Sequence, residues 1–276
     1  MRGPRSALTV AGAVIIALLL VMAVLAPLAS PHDPKALSGD SLESPSARHL
    51  LGTNNLGQDV LSQLIWGARS SLTVSIGAAF LAVLLGVVVG AGSGLVGGKV
   101  DATVMRLLDV ILAIPIFPLL LVVSALFGSS RLVLILVIGM LMWPGFARIV
   151  RSQTLTLRQK GFVGSARGYG GGVAYLVRHH LAPALGPLLV TQFVTVAGIA
   201  VFLEAGLGFL GLGDPIGVSW GRMMNTALAQ QGIYFTPAWT WLVLPTGFAI
   251  TLAVMGFTFL GIGLETRFNP RAMRTV

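Results

Sequence analysis

The sequence predicts an all-α integral membrane protein with six transmembrane helices and both termini on the cytoplasmic side. Three observations carry this. The 276 residues are 55% hydrophobic and only 10% charged, with a mean hydropathy of +0.89, whereas soluble domains carry about 25% charged residues. The apolar residues fall in six long stretches, most of them near the ~20 residues that cross a bilayer as a helix. The Lys and Arg residues are shared unevenly between the connecting segments. One folded membrane unit is expected rather than a chain of soluble domains.

The first span covers residues 7–28 and holds no charge. Arg2 and Arg5 precede it, as they would a cleaved leader, but 22 apolar residues exceed the ~7–15 of a signal core. Residues 29–69 then form an extracytoplasmic segment. The second span lies within 70–98 and is uncharged. The third, about 107–127, includes Asp109. The fourth, 132–147, is short and contains Pro144. The fifth covers about 185–207, with Glu204 near its far end, and the sixth about 239–264. Residues 70–276 are read as one transmembrane core containing a cytoplasmic loop at 148–183.

Orientation follows the excess of basic residues on the cytoplasmic side. Arg2, Arg5, Lys99, Arg106, Arg148, Arg151, Arg158, Lys160, Arg167, Arg178, Arg267, Arg271 and Arg274 fall on one side, thirteen of eighteen. Lys35, Arg48, Arg69, Arg131 and Arg222 fall on the other. The first group marks the cytoplasm. The net charge of +9 therefore reflects membrane orientation, and no nucleic-acid partner is expected.

Two outer segments stand out. SPHDP at residues 30–34 opens an extended or turn entry, because proline restricts its predecessor. From Asp59, a candidate cap, the pattern of Val60, Leu61, Leu64 and Ile65 has helical spacing. It reads equally as an interfacial anchor of span two or as part of an outer vestibule or gate. Between residues 211 and 237, a Gly213-Asp214-Pro215 turn precedes a short helix that opens at Ser219 and Trp220. Trp220 and Tyr234 suit the headgroup boundary.

No catalytic set emerges. The histidines His32, His49, His179 and His180 form no HExxH pair, and no metal site or cofactor is expected in this chain. With no cysteine, disulfides and thiolate chemistry are excluded. SGLVGGKV, residues 93–100, fails as a phosphate loop: Ser93 stands where the first glycine belongs and Val100 where Ser or Thr should follow Lys99. Gly90, Gly92, Gly94, Gly97 and Gly98 instead suit close helix packing and a span exit. Asp109 and Arg106 read as a local pair. Pro115, Pro118 and Pro144 read as kinks. Glu204 is a functional-site candidate by default as an intramembrane carboxylate, with solvation or pairing near the outer interface as its plain alternative. Glu204 and Trp220 are the candidate pathway or gate residues.

The loop at 148–183 is basic and punctuated by glycine. Residues 162–169, FVGSARGY, are small and mildly amphipathic, and Gly170, Gly171 and Gly172 stop any helix. Such a short helix can serve as a knob for a cytoplasmic partner. A basic loop resting on anionic lipid headgroups fits the composition equally.

The spacing resembles the EAA loop of ABC-importer permeases: Glu-Ala-Ala, three residues, Gly, then Pro 13 residues later. Here Gly164-Ser165-Ala166 stands at Glu-Ala-Ala, with Gly170 and Pro183 in register, and HLAP at 180–183 replaces the usual HILP. Three further stretches resemble the C-type permease subunit of dipeptide, oligopeptide and nickel importers. LGTNNLGQDVLSQLIWGARSSL is similar to that subfamily's LGTDxxGRDVLSRLIYGARxSL. GLVGGKVDATVMRLLDVILAIP is similar to its GYxGGxxDxxxMRxxDxxLAxP. EAGLGFLGLG followed by SWGRMM resembles EAxLSFLGLG and PSWGxM.

The resemblance implies a type I ABC importer permease fold in a bacterial inner membrane. It implies one half of a translocation pathway for peptides or a related small solute, which is not itself an enzyme. The implied partners are a homologous B-type permease, two ATPase subunits that bind ATP and Mg, and an extracytoplasmic substrate-binding protein. Coupling to the ATPases would run through Gly161, Phe162, Val163, Gly164, Ser165, Ala166, Arg167, Gly168, Tyr169, Gly170 and Pro183. The glutamate missing at Gly164 removes a charge that, in the family, helps hold the loop on the ATPase. The competing class is an ion-gradient-driven secondary transporter or channel, for which Glu204 is the one obvious deep acid and no inverted repeat is evident.

Overall fold

The computed structural model describes residues 4–128, 130–170 and 172–268; Arg2, Gly171, Arg271 and Arg274 lie outside these. Its helices are α1 (Pro4–Ala29), α2 (Val60–Val96), α3 (Gly98–Ala113), α4 (Ile116–Phe127), α5 (Arg131–Arg158), α6 (Gly161–Gly168), α7 (Val173–Leu176), α8 (Ala182–Phe209), α9 (Trp220–Ala229) and α10 (Trp239–Phe268). A π-helical turn, Val177–Leu181, joins α7 to α8, and a 3-10 turn, Ile233–Phe235, follows α9. Among the described residues the only β pairing is one isolated bridge, Thr53 with Asp59.

Five helical units are long and apolar enough to cross a membrane: α1, α2, α5, the π turn with α8, and α10. Where a continuous helix was expected at 107–127, the chain forms a broken pair, α3 and α4, bent by 87°. Ile114 is extended and Pro115 caps α4. Proline disfavours helical backbone at its predecessor and lacks the N–H that would continue the ladder, so the break falls there.

Three other boundaries move. The amphipathic stretch after Asp59 is no separate interfacial helix but the first turns of the 37-residue α2. At 1.5 Å per residue α2 is about 55 Å long, well beyond a ~30 Å hydrocarbon core. The fourth span does not end at 147. α5 runs on to Arg158, so Arg148, Arg151 and Arg158 sit on a helix rather than in a loop. Helix also resumes at Val173, ten residues before Pro183.

Packing follows from small residues. An added Cβ at Gly90 of α2 would lie 2.3 Å from the Ala147 carbonyl oxygen of α5. One at Gly94 would lie 3.0 Å from Thr154, and one at Gly86 2.6 Å from the Phe146 ring. This i, i+4, i+8 stripe lets the helices touch. Gly92 and Gly98 face open space, so only part of the glycine run packs helices. α1 and α10 meet in the same way, because a Cβ at Gly12 would lie 2.5 Å from the Leu260 nitrogen. One apolar core joins α1, α2, α8, α9 and α10 around Trp220, Leu72 and Phe257. A second joins α2, α4, α5 and α8 around Leu120, Ile138 and Leu207. A third, Phe146, Val150, Leu157, Leu181 and Leu185, closes the end that carries α6.

Candidate functional site

α6 follows the end of α5 and leads through α7 and the π turn to α8. Lys160 N donates to Leu157 O at 3.1 Å and Val163 N to Lys160 O at 3.0 Å, so the chain turns directly from α5 into α6. Val163 is buried, Ala166 is half-buried, and Gly161, Ser165 and Tyr169 are exposed. The helix is held on one face and free on another. It stops at Gly168; Tyr169 N donates to Ser165 O, and Gly170 follows with φ +83°. That left-handed backbone favours glycine. Phe162, Gly164, Arg167 and Gly168 lie within α6.

The return differs from the loop that was expected. Leu176 is buried, and the Val177–Leu181 turn carries Leu181 into the α5–α8 core. Tyr175 stacks on His179 with ring centroids 4.4 Å apart. Pro183 is exposed at the start of α8. Its ring lacks an N–H and crowds the preceding turn, and the wider π turn lies just before it.

Cations on α5 brace this end. Arg151 makes a two-armed contact with Asp101 of α3, and Arg148 pairs with Asp109 of α3. Arg158 Nη1 donates to Gly94 O of α2 at 2.6 Å. The expected pairing of Asp109 with Arg106 is therefore corrected: Asp109 reaches across to α5.

At the opposite end, Glu204 of α8 is 1% exposed, with Ser71 of α2 and Ser219 beside it and Arg131 within electrostatic reach. Its Oε2 has no partner. This is an interior position, not the solvated edge allowed for above. Trp220 is also fully buried rather than at the headgroup boundary. Its Nε1 donates to Leu64 O at 3.0 Å and its backbone N to Ser71 Oγ at 3.3 Å. Gly67 leaves room for the ring, since a Cβ there would lie 2.7 Å from it. Gly221 lets α9 sit on α8, since a Cβ there would lie 2.5 Å from Ala205 O. Ser71 thus contacts both sequence-predicted gate residues. Tyr234 is exposed.

Asp59 caps α2. Its Oδ2 accepts from Ser62 N at 2.8 Å and Ser62 Oγ at 2.7 Å, and its Oδ1 accepts from His49 Nδ1 at 2.9 Å. Burial raises the pKa of this carboxyl, but the Ser62 hydroxyl, His49, the Ser62 amide and nearby His32 outweigh it and hold it below its ordinary value. Ligand-type atoms of His32, His49 and Asp59 lie within 4.8 Å of one another. Sequence reading missed this group, because His32 and His49 follow no ligand spacing. Both Asp59 oxygens already accept hydrogen bonds, which accounts for it as a reinforced helix cap. Trp241 Nε1 donates to Thr53 O at 3.3 Å, tying this segment to α10.

Residues 82–274 match the family described as binding-protein-dependent transport system inner membrane component. Residues 5–50 match the N-terminal TM domain of oligopeptide transport permease C. The chain is 38% identical over 264 residues to a permease protein of Brucella suis biovar 1, covering 95% of this chain and 86% of the relative. It is 34% identical over 275 residues to the dipeptide transport system permease protein DppC of Bacillus subtilis, covering 98% and 84%. It is also 34% identical over 276 residues to the oligopeptide transport system permease protein OppC of the same organism, covering 98% and 88%.

Proposed function

Because this chain belongs to the binding-protein-dependent transport system inner membrane components, and is a permease subunit of an ABC importer, we propose that it carries short peptides. On this reading it forms half of a pathway completed by a homologous permease. The α6 end faces the cytoplasm and two ATPase subunits, which supply ATP hydrolysis. The α9 end faces an extracytoplasmic binding protein that delivers the substrate. The peptide assignment draws on the relatives named as dipeptide and oligopeptide permeases.

The observation that carries the coupling role is the mounting of α6. α6 follows directly from α5 through the Leu157–Lys160 and Lys160–Val163 backbone bonds, and Val163 is buried while Gly161, Ser165 and Tyr169 remain exposed. A push on a helix held this way passes to α5 and, along the chain through α7 and the π turn, to α8. That mounting supports a coupling role for Gly161–Gly168, Tyr169 and Gly170, with Pro183 at the start of α8 on the return. Glu204 and Trp220 lie where α2, α8 and α9 meet, so a shift of α8 changes their packing. They serve as the hinge of the outer gate rather than as a surface that substrate touches first.

The test is substitution of Ala166 by Trp and of Gly170 by Val. Both variants should insert in the membrane and retain the partner permease, while peptide uptake per ATP hydrolysed falls by about tenfold or more, the change expected when about 1.4 kcal/mol of coupling is lost. Wild-type uptake in both variants would remove α6 from the coupling role. Purification of an active transporter with no ATPase bound would instead favour the ion-driven class.

A further inference from the structure

Only five of the eighteen Lys and Arg residues fall on the side read as extracytoplasmic. Four of those five nevertheless converge. Lys35, Arg69 and Arg131 line a cavity of about 520 Å³ together with Asp33, Trp66 and Ser70. Arg222 and Lys35 line an adjoining cavity of about 410 Å³, and the two share the wall formed by Pro34, Gly217 and Val218. These residues come from the entry segment, α2, the start of α5 and α9. The fold brings them together from four separate parts of the sequence.

Gathering like charges at a site where they are otherwise sparse is unfavourable unless an anion visits. Arg222 is occupied, because Nη1 donates to the carbonyls of Asp214 at 3.2 Å and Gly217 at 3.1 Å. Arg131 Nη2 donates only to the neutral Ser70 Oγ, at 3.3 Å. Arg69 lies over the Trp66 ring at 5.4 Å. Among the described residues, neither arginine nor Lys35 has a carboxylate at ion-pair distance. Glu204 lies within the field of Arg131 but does not touch it. The one acid in the wall, Asp33, is exposed and its carboxylate accepts only from Lys35 N, at 2.8 Å.

We propose that this cavity is a reception site for short peptides, in which Arg69 and Arg131 take the terminal carboxylate and Asp33 takes the terminal ammonium group. The inference rests on the peptide reading above and extends it to named contacts. Guanidinium forks suit a carboxylate through paired hydrogen bonds. The volume falls within the roughly 300–1,000 Å³ of small-ligand sites. Trp66 and Val218 add an apolar wall with no shape selective for one side chain, so the charged termini dominate recognition.

Trp66 makes the proposal measurable, because a ligand that draws Arg69 away alters its fluorescence. The assembled transporter is placed in lipid nanodiscs without binding protein or nucleotide and titrated with dialanine. A saturable change is expected that is absent in Trp66→Phe, with radiolabelled dialanine in equilibrium dialysis as the second measurement. Arg131→Gln and Arg69→Gln should each weaken binding by about tenfold or more, while subunit copurification and thermal unfolding confirm assembly. Dialanine amide, which lacks the carboxylate, should bind the wild type as weakly as dialanine binds the variants.

Equal binding of dialanine and its amide, or no saturable binding by either method, overturns the proposal. So does a variant that binds dialanine normally but loses stimulation by the binding protein, since the cations would then serve an acidic docking loop. None of these results affects the permease assignment, which fails separately if no ATPase copurifies.

Discussion

Gly90 and Asp59 show what single residues contribute here. At Gly90 a methyl group would sit 2.3 Å from a backbone oxygen of α5, which cannot turn aside as a side chain can. Gly90→Ala should therefore push α2 and α5 apart and cost about 1–3 kcal/mol, the range for overpacking. Gly92→Ala meets nothing within 4 Å and should be neutral or gain up to about 1 kcal/mol by limiting the unfolded backbone. Thermal unfolding of the detergent-solubilised protein compares the two directly, and equal shifts would contradict the packing account. Asp59 is tested by pH. Its folded-state pKa lies below the ordinary 3.8. The stabilisation from its ionised form is thus fully present above the unfolded value and disappears as pH falls through the folded one. Asp59→Asn should lose about 0.5–2 kcal/mol at neutral pH, the usual worth of a cap. The gap to wild type should narrow as pH falls below about 4. A gap that stays constant from about pH 5 to pH 3 would mean that the charge of the cap is irrelevant.

At the scale of elements, α5 and α3 are joined by two ion pairs of different character. Arg148 and Asp109 are both exposed, whereas Arg151 and Asp101 are partly covered and meet through two donors. Double-mutant cycles on unfolding should give about 0–1 kcal/mol for the exposed pair. The covered pair should give a larger coupling, up to about 3 kcal/mol, that is less sensitive to salt. Equal couplings would refute this ranking. These pairs also mark the limit of sequence reading. Asp109 has a neighbour at helical spacing in Arg106, and nothing local reveals that it reaches Arg148, 39 residues away. The length of α5 was more legible than the reading allowed. Val150, Thr154 and Leu157 continue its buried face beyond Ala147, and the arginines between them obscured the period. The kink at Pro115 was visible, but its 87° angle depends on how α4 packs under α5 and α8. Trp220 was misplaced because indole is common at headgroups, and only the fold reveals the Gly67 notch that admits it.

Across the whole molecule, the apolar membrane helices and the family follow from hydropathy and a few spaced motifs, because bilayer thickness and backbone hydrogen bonding leave so few solutions. The convergence of Lys35, Arg69, Arg131 and Arg222 was less accessible, since each lies at a different connection. Their placement against the basic bias was nevertheless a signal. The bias also makes the orientation testable. Thr9 of α1 packs against Gly263 of α10, so the two ends of the described chain lie together. Thirteen cations against five predict that the chain ends and α6 face the cytoplasm. The chain contains no cysteine, so single cysteines report without background. Tyr169 beside α6 is 93% exposed and Ile216 near α9 is 75% exposed, so either replacement leaves the core untouched. A membrane-impermeant maleimide applied to intact spheroplasts should label Ile216→Cys and spare Tyr169→Cys. Detergent permeabilisation should then make both reactive, which separates sidedness from masking by a bound subunit. Labelling of Tyr169→Cys in intact cells would invert the bundle and place α6 where no ATPase can reach it.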